Sequence, residues 1–169
     1  LLGVEPELDG GNAAQGMAVL HGADLVVALS AYKSQSLLET ADVLLPIAPF
    51  SETSGTFVST EGRVQSFAAA VKPLGEARPA WKVLRVLGNL LSVAGFDYDS
   101  SEQVRAEALG DGNVQLNNAL KTPRTLSPQS SAPSPALQRI GEVPAYQTDA
   151  IVRRATALQK THAAEPLAW

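Results

Sequence analysis

Cysteine is absent from the 169-residue chain. That excludes disulfides, thiolate zinc sites and cysteine-ligated iron–sulfur clusters within this stretch. It leaves the redox compartment open, because a chain without cysteine suits any. Histidine is almost as scarce. His21 and His162 lie far apart, and neither has a metal-type partner three or four positions on. His21 falls at a predicted helix end, where the dipole favours it. Basic clusters are missing too: the net charge is −4, and Arg153-Arg154 is the one adjacent basic pair. A nucleic-acid surface is therefore not expected. No apolar run approaches the roughly 18 residues that cross a bilayer, so no direct membrane insertion is expected. No Gly-x-Gly-x-x-Gly is present, which argues against a standard nicotinamide site.

What is there is a composition of ordinary globular type, 45% hydrophobic, long enough for one domain with appendages. Leu1-Leu2-Gly3-Val4 reads as a strand, and a chain opening inside an apolar strand reads as a piece of a longer protein. Residues 13–22 read as a helix with Gly22 at its C′ position. Asp24 to Ser30 is a short apolar run rich in Val and Leu, the pattern of a strand buried on both faces. Residues 34–40 allow two helical turns with Ser34 or Ser36 as N-cap. Asp42 to Pro46 is a second short buried strand, stopped by proline. This alternation predicts an α/β fold: parallel pairing in part of an open, doubly wound sheet.

The character then changes. Thr56–Ser59 and Arg63–Phe67 read as two short strands around Glu61-Gly62. Gly55 and Gly62 are expected to supply positive φ or close backbone approach. Pro79 opens a helix whose apolar residues, Trp81 to Leu91, keep helical spacing to about residue 94, with Gly95 as the stop. Trp81 is read as core. A second helix spans 100–109, capped by Ser100 or Ser101. Residues 1–121 thus form the α/β domain. Residues 122–136 are a Pro/Ser linker. Residues 137–169 form a docking tail, extended at Val143–Tyr146 and with one helix from Thr148-Asp149 to about Lys160. Arg153 and Arg154 face either a partner subunit or solvent.

The segment from Glu39 to Gln65, ETADVLLPIAPFSETSGTFVSTEGRVQ, contains the informative motif: Asp42, Pro46, Glu52, Gly55, Thr56, Glu61, Gly62 and Arg63. It resembles the molybdopterin oxidoreductase superfamily. The continuation Gly75-Glu-Ala-Arg-Pro-Ala-Trp-Lys-Val-Leu-Arg85 and the tail Tyr146–Ala155 resemble the large iron–sulfur subunit of respiratory NADH–quinone oxidoreductase. The resemblance implies a long parent chain whose N-terminal part holds 4Fe-4S and 2Fe-2S clusters that carry electrons from NADH towards quinone. It implies no cofactor, metal or catalytic residue in this piece. It also implies partners among the other complex I subunits and the N-terminal part of the same subunit. The setting would be peripheral, on the cytoplasmic face of a bacterial inner membrane. The β-barrel usual after this region in molybdopterin enzymes needs more residues than follow here, so either it is reduced to a tail or the chain is truncated.

Three readings follow: a non-catalytic scaffold segment, a piece of a formate dehydrogenase-like molybdopterin enzyme, or an independent small α/β binding module. The strand ends Gly3-Val4-Glu5, Ser30-Ala31-Tyr32 and Pro46-Ile47 mark where a crevice would lie, read as vestigial. Glu52 or Glu61 is expected to pair with Arg63 and pin the loop. The Ser and Thr of 51–60 fit local hydrogen bonding to the backbone.

Overall fold

A computed structural model describes residues 1–110 and 143–164. The chain divides into two compact units, Leu1–Lys121 and Thr122–Trp169. The expected linker at 122–136 lies outside the described residues.

The first unit is α/β. Pro6–Asp9 is a short helix, α1, and Ala13–His21 is α2. Strand β1, Val27–Ser30, pairs in parallel with β2, Val43–Pro46, through α3, Gln35–Thr40. The register sets Val27 against Val43 and Ser30 against Pro46. Local chemistry explains the helix starts. The Asn12 side chain accepts from the Gln15 N–H and Ser34 Oγ from the Leu37 N–H, each satisfying an orphan first-turn donor. The expected choice between Ser34 and Ser36 thus resolves to Ser34. The core is small: Val26, Ala28, Leu29, Leu37, Ile47 and Ala48.

Several expectations are corrected. Residues 1–4 contribute a single parallel bridge, Leu2 to Leu29, rather than a strand. Gly3 at φ +61 breaks the extended run, and Pro6 starts α1 at once. Gly22 ends α2 at φ −92, so no left-handed cap forms. The buried strand expected over 24–30 is only partly borne out: β1 starts at Val27 and Leu25 is 64% exposed, and β2 is partly exposed, with Val43 at 41%. Among the described residues β2 is an edge strand, and an edge strand has one side without a neighbour.

Gly55–Val58 (β3) and Val64–Phe67 (β4) form the expected hairpin. Its loop is Thr60-Glu61-Gly62, with Gly62 at φ +81. This is the three-residue connection that needs a left-handed last residue. Gly55 serves by close approach instead. It faces Phe67 across the register, and a Cβ there would lie 2.9 Å from Phe67 Cζ. Phe57 stacks on Phe67 at 4.8 Å, and Phe50 meets Phe57 edge-on at 6.2 Å.

Helix α4, Ala80–Leu90, ends earlier than its periodicity suggests. Ser92 at φ +56 and Gly95 at φ +88 reverse the chain. Phe96 then lies over Gly88, the buried residue of α4. Helix α5, Ser101–Leu109, is capped by Ser100, whose Oγ accepts the Gln103 N–H.

In the second unit the single helix expected from Thr148-Asp149 to about Lys160 does not form as one element. Ala145–Gln147 and Val152–Arg154 are 3₁₀ turns, Thr156–Gln159 is α6, and His162–Ala164 is a further turn. Ala145 and Tyr146, in the stretch expected to be extended at Val143–Tyr146, are therefore turn instead. Side chains compete with the helix. Asp149 Oδ1 accepts from the Ile151 and Val152 N–H groups, and Gln159 Nε2 donates to the carbonyls of Tyr146 and Val152. Such local bonds offer the backbone an alternative to helical pairing. Arg154 Nη1 donates to the Ala150 carbonyl at 2.8 Å.

Candidate functional site

Two regions could hold chemistry: the strand ends and the ground around the hairpin. At the strand ends the chain spends its own donors. The Glu5 N–H goes to Asp9 Oδ2 at 2.7 Å. Ser30 Oγ accepts from the Tyr32 N–H at 3.1 Å and donates to the Tyr32 carbonyl at 2.8 Å. The Ile47 N–H goes to the Ser30 carbonyl, and that of Ala48 to the Arg78 carbonyl. Glu5 is buried, 3% exposed, and Glu7 follows on α1 with a buried Oε2 that has no partner.

The motif residues do not converge. Asp42 lies before β2, and its Oδ2 takes the Val26 N–H at 2.7 Å, tying the entries of the two strands. Pro46 lies at the opposite end of β2, against Ser30. Glu52 closes a 3₁₀ turn, and its Oε2 accepts the Leu74 N–H at 3.0 Å. Thr56 Oγ1 and Ser66 Oγ are 3.0 Å apart across the hairpin. Glu61 stands exposed at the hairpin tip beside Gly62.

Arg63 corrects the expected ion pair: neither Glu52 nor Glu61 is within bridging distance of it. Its N–H donates to Ser59 Oγ at 3.2 Å, and its carbonyl accepts from the Ser59 N–H. The backbone closes the loop, and the exposed guanidinium is not needed for it. Arg63→Ala is therefore expected to change stability by only about 0–1 kcal/mol, measured by chemical denaturation. A loss above that range would mean that the side chain pins the loop after all.

The hairpin, α4 and α5 do bring residues together. Ser54, Gly55, Thr56, Trp81, Ser101 and Arg105 line a cleft of about 270 Å3. Ser54 Oγ and Ser101 Oγ are 2.8 Å apart, and Arg105 Nη1 donates to Ser66 Oγ at 2.8 Å. Trp81 is half-buried rather than core, and its buried Nε1 has no hydrogen-bond partner. Hydrogen bonds from its own N–H and from Ser100 hold the Glu102 carboxyl below its ordinary range. Tyr98 Oη donates to Glu107 Oε2 at 2.6 Å, which pushes its ionisation up. Sequence reasoning missed Arg105, because its placement depends on a contact 39 residues away. His21 and His162 belong to no group of three metal-type side chains among the described residues.

Comparison with known proteins adds the lineage. The mitochondrial NADH-ubiquinone oxidoreductase 78 kDa subunit of Neurospora crassa is 37% identical over 105 residues, 62% of this chain and 12% of that protein. The same subunit of Candida albicans is 49% identical over 65 residues, 38% of this chain and 9% of that protein. A putative formate dehydrogenase of Staphylococcus aureus is 48% identical over 59 residues, 35% of this chain and 6% of that protein. The chain thus spans about a tenth of the length of these relatives. Residues 1–90, more than half of the chain, match the sequence profile of one family, and the chain belongs to it: the molybdopterin oxidoreductases.

Proposed function

We propose that this chain is a scaffold segment of the large iron–sulfur subunit of an NADH–quinone oxidoreductase. It braces the cluster-bearing part of that subunit and presents surface to neighbouring subunits, within a complex peripheral to the cytoplasmic face of a bacterial inner membrane. The 4Fe-4S and 2Fe-2S clusters lie elsewhere in the parent chain. The observation that carries this reading is the length of the likeness. Similarity to the Neurospora subunit extends over 105 residues, against 59 for the formate dehydrogenase.

The strand ends support the same reading. A phosphate-bearing pterin cofactor needs free backbone donors and no like charge beside it. Here the Glu5 N–H is taken by Asp9, the Tyr32 N–H by Ser30, and the carboxylates of Glu5, Glu7 and Asp9 follow the Leu2–Leu29 bridge. These residues do not fit the group. Exposed apolar side chains fit a bracing role. Leu74 is 82% exposed, Leu90 77% and Val71 59%, leaving apolar side chains available for such contacts.

The test uses the assembled parent complex carrying Gly55→Val. The added side chain collides with the Phe67 ring, an overpacking cost of about 1–3 kcal/mol. The expected result is less assembled complex, with NADH–quinone turnover per assembled complex unchanged. Full assembly with lost turnover would instead place chemistry at the hairpin. The formate dehydrogenase reading rests on 48% identity over 59 residues, which the Candida subunit matches at 49% over 65. It predicts molybdenum in the purified parent and formate-dependent dye reduction. The scaffold reading expects neither.

A further inference from the structure

We draw no further inference here: the strongest candidate, the exposed apolar patch of Val86 and Leu90 on α4 with Leu91 and Val93 just beyond its end, is an unpartnered face, and nothing in the structure shows what covers it.

Discussion

Leu37→Ala is expected to lower the unfolding free energy by about 2–5 kcal/mol. Leu37 is 1% exposed, the largest fully buried side chain among the described residues. Its helix has little freedom to close the void. Ser34 Oγ holds the Leu37 N–H at 3.2 Å, and the Leu37 carbonyl accepts from Ala41 at 2.9 Å. Asp42 then fastens the next residue to Val26. A site that cannot collapse loses packing contacts as well as transfer energy. Domains have only about 5–15 kcal/mol in total, so this one truncation removes a large share. Guanidinium denaturation should show a lower midpoint with an unchanged slope. A loss below about 1 kcal/mol would mean that α3 relaxes inward and the core is not centred on Leu37.

The second large effect sits at Gly88. Gly88→Val is expected to cost about 3 kcal/mol, at the upper end for overpacking. Glycine inside a helix is normally a weakness, and alanine there gains about 1 kcal/mol. At Gly88 the sign reverses. A Cβ there would collide with Phe96 Cγ and lie 2.6 Å from Cδ1. The ring cannot move far, because Ser92 and Gly95 fold the chain back onto α4. Gly88→Ala should therefore destabilise. Combined with Phe96→Ala it should cost at least about 1 kcal/mol less than the sum of the two single changes. Additive behaviour in that cycle would show that the ring does not rest on Gly88.

The candidate site was only partly legible in the sequence. The motif from Asp42 to Arg63 was visible as residue types, and its turn was readable: Gly62 was expected to supply positive φ or close approach, and it takes the positive φ. The pairing of charges was not readable. Glu52 and Arg63 look like partners along the chain, but Glu52 binds the Leu74 N–H and Arg63 closes its own hairpin through Ser59. Hydrogen-bond partners are chosen by distance in space, which linear spacing does not encode. Arg105 shows the same limit. Its Ser66 contact exists because β4 and α5 meet in space.

By itself the sequence determined which stretches become helix, strand and turn wherever local chemistry decides. Ser34 and Ser100 cap their helices because their hydroxyls reach first-turn N–H groups. Val27 to Ser30 makes a buried parallel strand because no polar face interrupts it. Tertiary structure decided the rest. It ended α4 at Leu90, although its apolar periodicity runs on, because Phe96 must return over Gly88. It broke the expected tail helix into turns, where Asp149 and Gln159 compete for the backbone. It also left β2 partly exposed, because burial depends on what packs against a strand as well as on its own residues.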